Sequence, residues 1–444
     1  MSPRRLTPFV MLEASSVLSA IASGMTYIVI PWLLLETTGS ALLAGTVVAV
    51  KGIISFVVYP LSGTLVDNVG RRRVGIIADV LVAVTAGGFA MLGNGLGTSL
   101  WLIVAVTILG GVCEAPGFTA RKSLVANTAE AGQIPLERAN GIHEAIRGIG
   151  WIAGPASGSL LVALVGATNV FWIVGAGYLA SVGALSLVRV SHTVTGADDR
   201  DRERGNFIAE TWDGFRALRR DRALFILTAF IVILDAMYIP SEEIVLPAYF
   251  NERQDPVGLG LVISSMVLGV TIGALLFEFL AKRFLMSTVI RICVIGSCSI
   301  LLLMAIFPPV FLFVIIGLVL GLVWGPINPL MSTMIQRRFP ASIQGRVFGV
   351  QLAAFTMAPP VAMPIVGWLI ELYGPQRVYL VQMIITFVLG FGVVLLPILK
   401  DLDRSAGVQD EPVRDDSARE KPPRQKPPRQ KPPRQKPPRQ KPAR

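Results

Sequence analysis

Residues 310–335 read VFLFVIIGLVLGLVWGPINPLMSTMI, a stretch without a single Asp, Glu, Lys or Arg. A helix of about 20 such residues crosses the roughly 30 Å hydrocarbon core of a bilayer, and lipid offers no partner to an open backbone amide. The stretch therefore reads as a membrane-crossing helix. Eleven more of the same kind accompany it, at 9–35, 41–66, 74–94, 100–120, 138–164, 168–190, 223–249, 257–281, 286–307, 343–371 and 376–399. The expected fold class is all-α integral membrane, with about twelve transmembrane helices. A β-barrel would show short alternating strands instead. The first run is too long for the apolar region of a secretion signal and lacks a small-residue cleavage site in the right place, so it counts as a span.

Composition agrees. Of 444 residues 53% are hydrophobic and 16% charged, against about 45–50% and 25% in soluble domains, which argues against an ordinary soluble enzyme. The net charge of +11 belongs to residues 421–444, which hold ten Lys or Arg and no acid; the remainder carries 30 basic against 29 acidic residues. The charge is that of a tail, and no nucleic acid is expected as a partner. Cys113, Cys293 and Cys298 all sit in apolar runs, and the histidines are His143 and His192. No disulfide framework, metal site or cofactor is expected, nor does a nucleophile–base set for enzymatic chemistry stand out.

Basic residues give the orientation. Segments 36–40, 95–99, 165–167 and 308–309 contain none, and only Arg253 and Arg377 join them on that side. The other side carries Arg4, Arg5, Arg71–Arg73, Arg121, Lys122, Arg138, the 189–222 segment, Lys282, Arg283, Arg291, Arg337, Arg338 and Arg346. Both ends of the bundle are therefore expected on the cytoplasmic side of a plasma (inner) membrane. A polar segment divides the chain into residues 1–190 and 223–400, six spans each, joined by 191–222 and followed by a basic tail, 401–444. Within the joining segment, Ile208, Trp212, Phe215 and Leu218 recur at helical spacing opposite charges, the pattern of a helix lying on the inner surface. The halves repeat: Arg138/Gly141 and Gly166 match Arg346/Gly349 and Gly374 at an offset of 208, and Gly111/Pro116 match Gly321/Pro326 at 210. Such repeats are typical of transporters.

Charge inside a span costs about 2.5–3.5 kcal/mol on insertion scales, so each such residue needs a partner or water. Lys51 is at mid-depth in span two, Glu114 in the inner part of span four, His143, Glu144 and Arg147 in span five, and Asp235, Glu242 and Glu243 in span seven. Glu13, Asp79 and Glu278 lie near the inner surface, where polar ends reach water. Depth matching places Arg147 between Glu114 and Glu144, two carboxylates competing for one guanidinium; the set serves either proton coupling or a static ion-pair knot. His143 is expected to hydrogen-bond near Glu144, and Lys51 could partner Asp235. Asp235 and Glu242, seven apart, share a face, with Glu243 rotated about 100° away. Tyr27, Trp32, Lys51, Tyr238, Trp324 and Asn328 are candidates to line a cavity. Gly325, Pro326 and Pro329 are expected to bend span ten.

Two motifs carry a family resemblance. Gly63-Thr-Leu-Val-Asp67-Asn-Val-Gly70-Arg71-Arg72-Arg73, between spans two and three, resembles the cytoplasmic loop signature of the major facilitator superfamily; Asn68 stands where the family usually has Arg. The resemblance implies that Gly63, Asp67, Gly70, Arg71 and Arg72 form a cytoplasmic gate that holds the halves together in the outward-open state. Gly150, Gly154, Pro155 and Gly158 in span five resemble the Gly-Pro motif of the superfamily's antiporters, with Ser159 in place of the last glycine. Thr38–Ala41, Ala78-Asp79 and Arg138–Gly141 look like the macrolide- and siderophore-exporter branch. Pro31–Leu33, Glu144–Ile146 and Tyr238-x-Pro240-x-Glu242 look like multidrug efflux pumps within it. Many members have an acid near Ser23 in span one; this chain does not.

The resemblance implies two six-helix halves in the major facilitator fold and a monomer that exchanges protons for amphipathic drugs, tetracycline- or aminoglycoside-like, by alternating access. Glu114, Glu144, Arg147, Asp235 and Glu242 are then the proton-coupling candidates. An exporter of an endogenous siderophore or metabolite, or a non-transporting membrane scaffold or sensor, remain the alternatives. The tail repeats Lys421-Pro-Pro-Arg-Gln425 four times in tandem, an extended basic segment that anionic lipid would attract. Reporter fusions at 96 and 290 check the topology: 96 is expected outside and 290 inside, and an external 290 would overturn it.

Overall fold

The computed structural model describes residues 3–93, 100–188 and 207–401. The 94–99 connection, the charged cluster at 198–204 and the repeat tail lie outside the described residues. Twelve helical segments are long and apolar enough to span a membrane. The helices are α1 Pro3–Thr38, α2 Ala41–Val69, α3 Arg71–Gly93, α4 Leu100–Gly132, α5 Leu136–Val165 and α6 Ala167–Ser186, then α7 Phe207–Arg220. Span seven is built from α8 Arg222–Pro240, a π-turn Ser241–Val245 and α9 Leu246–Glu252. Then come α10 Pro256–Arg283, α11 Met286–Met304, α12 Val310–Trp324, α13 Ile327–Arg338, α14 Ala341–Tyr373 and α15 Pro375–Leu395.

Local chemistry sets the ends. Ser40 Oγ accepts from Leu43 N at 3.1 Å and Asp221 Oδ1 from Leu224 N at 3.1 Å, capping α2 and α8. Gly166 and Gly374, the repeat pair 208 apart, adopt nearly the same left-handed backbone, φ +81° and +79°, at the α5–α6 and α14–α15 turns. Span ten is broken between α12 and α13 at Gly325–Pro326, where a proline cannot donate its backbone bond.

The halves pack by one plan. In the first, α1 lies on α5, α2 on α4 and α3 on α6; in the second, α8 lies on α14, α10 on α12 and α11 on α15. Between the halves α2 meets α14 and α5 meets α10, the same pairing seen from either side. This is the two-lobed architecture of the major facilitator fold. The joining helix α7 docks on the start of α14: a Cβ added at Gly214 would lie 2.6 Å from the Arg346 carbonyl, and Asp213 pairs with Arg346 at 3.8 Å.

The seam is closed at one face only. On the side away from the Arg71–Arg73 loop, a Cβ added at Gly45 would meet the Met363 carbonyl at 2.6 Å, and one at Gly52 would meet Pro360 at 2.6 Å. Gly260 of α10 abuts Pro155 and Ser159 of α5. Glu371, near the end of α14, accepts from Ser40 Oγ at 2.5 Å and Leu42 N at 3.1 Å at the start of α2. A carboxylate there meets both free amides and the positive end of the helix dipole. On the loop side an added Cβ at Gly63, Gly141, Gly345 or Gly349 would meet nothing within 4 Å.

Two acids expected at the inner surface are buried. Asp79 is 1% exposed; Arg121 Nη1 donates to both its oxygens at 2.7 and 2.9 Å, and Ser181 Oγ donates at 2.7 Å. Glu13 is 5% exposed and faces His143 Nδ1 at 3.1 Å, so His143 bonds to span one and not beside Glu144. The depth estimate failed because it ignored that α3, α4, α1 and α5 could supply partners inside the half. Glu278 is at the surface as expected, paired with Lys282 at 2.6 Å.

The Glu371 cap ties the closed face together. In a protein carrying a cysteine at Ala41, which is 4% exposed against Gly367, Glu371→Ala should raise labelling by an impermeant maleimide severalfold from that face. Labelling no faster than with Glu371 present would count against the cap as a latch.

Candidate functional site

Span seven bears the acids. The notable feature is the π-turn at Ser241–Val245, flanked by Pro240 and Pro247, in which Leu246 N donates to Ser241 O. π-turns are rare and concentrate at functional sites. Here the wider turn brings both Glu242 and Glu243 towards α1. The phenols of Tyr27 and Tyr238 reach the Glu242 carboxylate, and Tyr27 also reaches Glu243. A phenol has one proton to donate, so Tyr27 serves one carboxylate at a time. The sequence expectation that Glu243 turns away assumed regular α-helical pitch and is corrected by the π-turn. Asp235, two turns earlier, is half-buried and has no ion-pair partner among the described residues.

The second cluster lies within the first half. Lys51 Nζ and Glu114 Oε2 are 3.0 Å apart, each side chain about a quarter exposed at 25% and 26%. Glu114 also receives the Ser23 hydroxyl, which is 2.7 Å from the Tyr178 hydroxyl. The pair borders a pocket of about 380 Å³, open solvent included, closed by Phe89, Phe171 and Val174. The expected Glu114–Arg147–Glu144 set does not form. Arg147 Nε is 3.2 Å from Glu144 and its guanidinium lies 4.7 Å from the Phe118 ring centroid, while Glu144 is also 3.6 Å from Lys122 Nζ. Depth alone matched Arg147 to Glu114; helix rotation gives Glu114 to Lys51 instead, which also rules out Lys51 as the partner of Asp235 in this conformation. The Glu114 carboxylate thus stands beside Ser23 of span one, arriving from span four.

The aromatic candidates divide. Tyr27 is half-buried, edge-on to Trp151 at 5.8 Å, and Tyr238 is half-buried beside Glu242. Trp32 is 3% exposed in the packed core, so it lines no cavity here. Trp324 packs half-buried against the second half's core, and Asn328, just past the span-ten break, is exposed.

The gate motif is not engaged across the halves. Asp67 is exposed; Arg71 Nη1 donates to the Ser123 carbonyl at 3.2 Å and to Asn127 Oδ1, and Arg72 donates to the Leu185 and Ser186 carbonyls. All these partners belong to the same half. Gly70, at φ +103°, makes the turn, and a Cβ added at Gly63 would meet open space. In the Gly-Pro motif Gly150, Gly154 and Gly158 face α1: a Cβ at Gly154 would lie 2.6 Å from Gly24 Cα. The Pro155 ring lies against Gly24 of α1 as well, while Ser159 and the Pro155 carbonyl meet Gly260 of the opposite half. Sequence reasoning missed Tyr178 and Glu371, and it named Glu243 without placing it among the coupling candidates; the adjacent acids between two prolines were the available signal for it.

The model of the Major Facilitator Superfamily matches residues 13–255 and 244–441. The chain is 28% identical over 403 residues to the multidrug efflux pump Tap of Mycolicibacterium fortuitum, covering 90% of this chain and 98% of that protein. It is 29% identical over 414 residues to Tap of Mycobacterium tuberculosis (91% and 97%). To macrolide efflux protein A of Streptococcus pyogenes it is 24% identical over 367 residues (80% and 87%). Among solved structures, the nucleoside transporter NupG superposes with a TM-score of 0.71 at 15% identity, over 87% of this chain and 98% of that one. Two-lobed architecture, paired motifs and a model match spanning both halves agree: the chain belongs to the Major Facilitator Superfamily.

Proposed function

We propose that the protein is a secondary active exporter of amphipathic cationic drugs, exchanging each against protons by alternating access. The observation that carries the reading is the set of acids on span seven, Asp235, Glu242 and Glu243, none with a cation paired to it by contact among the described residues, two of them in a π-turn that reaches span one of the other half. Carboxylates kept inside a bundle without a salt bridge suit a site that accepts either a proton or a cation. Resemblance to Tap and to macrolide efflux protein A supports drug export over export of an endogenous siderophore or metabolite.

The face bearing the Arg71–Arg73 loop is read as cytoplasmic, from its excess of Lys and Arg. With the seam closed opposite and open there, the conformation is inward-open. Cargo enters from the cytoplasm or inner leaflet and meets Glu242, steadied by the Tyr27 and Tyr238 phenols. It displaces any proton held there. Rocking of the halves opens the outer seam, where Glu371 and the α2–α14 contacts part. There the carboxylates take up protons from outside, release cargo and allow return. Asp67 is exposed, and Arg71 and Arg72, bonded within their own half here, are read as engaging the other half in the opposite state. Glu114 and Arg147 border the path from the first half, and the basic tail is read as a contact for anionic lipid.

Everted vesicles test the reading: substrate added at the cytoplasmic face should dissipate an imposed proton gradient. Asp235→Asn or Glu242→Gln should lower the coupled rate about tenfold or more, an effect of at least about 1.4 kcal/mol, while Glu278→Gln at the surface leaves it unchanged. Full coupling in the Asp235→Asn/Glu242→Gln double variant would contradict it. Response to host siderophores but to no drug would favour the metabolite exporter.

A further inference from the structure

Lys51 stands where three features of the fold meet. Its stem crosses Gly111 of α4, where an added Cβ would lie 3.3 Å from Lys51 Cγ. The next residue, Gly52, makes the innermost tight contact of the α2–α14 seam, against Pro360 at 2.6 Å. Beyond it towards the open face, a Cβ added at Gly63 would meet nothing within 4 Å. Lys51 is thus at the hinge between the closed and open parts of the interface. Its ammonium is paired at 3.0 Å with Glu114 of its own half and lies within electrostatic reach of Glu243 in the π-turn of the other half, which packs against α2. The other groups facing these acids are Ser23 and Arg121 on Glu114, Tyr59 and Tyr178 within reach of Glu114, and the Glu242 carboxylate and Tyr27 on Glu243. Among these, Lys51 is the cation shared by both acids.

Resting on the exporter reading, we propose that Lys51 is an exchangeable counter-ion, a positioning residue that pairs with Glu114 in the conformation seen here and with Glu243 once Glu114 carries a proton. A lysine suits such an exchange because it is a compact charge on a flexible four-carbon stem, free of the planar fork that fixes arginine. The proton binds a Glu114 oxygen and neutralises it; no bond other than O–H forms, and the ammonium keeps its own three protons. Released from Glu114, it offsets the Glu243 charge, so the span-seven acids hold a cation less tightly. Proton and cargo then oppose each other from separate sites, one in each half, with Lys51 carrying the coupling. By linkage the effect is reciprocal: bound cation favours the deprotonated Glu114.

The test is equilibrium binding of tetraphenylphosphonium to the full-length purified protein between about pH 6 and about pH 8. The unaltered protein should bind more weakly as pH falls. Removing Lys51 alone leaves Glu114 without its partner, so Lys51→Met is made together with Glu114→Gln. Whatever its affinity at high pH, this pair should lose the part of the pH dependence that Lys51 transmits, at least about half of it on a logarithmic scale. Lys51→Arg should retain more of it than the Met variant, and Glu243→Gln should lose it. Unchanged pH dependence in Lys51→Met/Glu114→Gln overturns the Lys51 role and leaves the exporter reading standing. Binding by the unaltered protein that does not change with pH, or no binding at all, overturns both.

Discussion

An ion inside a membrane must be neutralised, solvated or paired, and much of this molecule is organised by that constraint. Where the bundle needs rigidity the charges are paired and sealed: Asp79 with Arg121 and Ser181, Glu13 with His143, all within the first half. Removing one member of a buried pair costs about 3–5 kcal/mol because the other stays behind uncompensated. Elsewhere the charges are a quarter exposed, as in the Lys51–Glu114 pair, or have no cation paired to them among the described residues, as for the acids of span seven. The sealed pairs named here thus lie in the first half, and the acids of span seven sit across the interface in the other.

Glycine and proline set the geometry that makes this division work. Gly150, Gly154 and Gly158 let α5 lie directly on α1 within the first half. Gly45, Gly52 and Gly367 let α2 and α14 touch on one side of the membrane only. The seam is short, and the Glu371 cap at its far end is made of hydrogen bonds that water can replace when the face opens. Prolines 240 and 247 bracket the π-turn and so place Glu242 and Glu243 against Tyr27.

The fold was legible because it is written in long apolar runs, whose length is dictated by bilayer thickness and does not depend on neighbours. The repeat was legible in Gly166 and Gly374, since a left-handed turn demands glycine in both halves. Side-chain partners were legible less often, because they depend on helix rotation, which depth counting ignores. Depth placed Arg147 near Glu114, yet rotation delivers Lys51 to it. The π-turn escaped a reading based on regular helical pitch, so Glu243 was set apart from Glu242. Trp32 was assigned to a cavity from residue type and span number; packing puts it in the core at 3% exposure.

The central claim is that binding a cation expels a proton from carboxylates inside the bundle. Calorimetric titration of the purified protein with a lipophilic cation, repeated in buffers of different ionisation enthalpy, measures that proton directly. The account predicts release of about one proton or a large fraction of one per cation bound near neutral pH. Heats that do not vary with the buffer, at an affinity that shows real binding, would mean that no proton leaves and would contradict it.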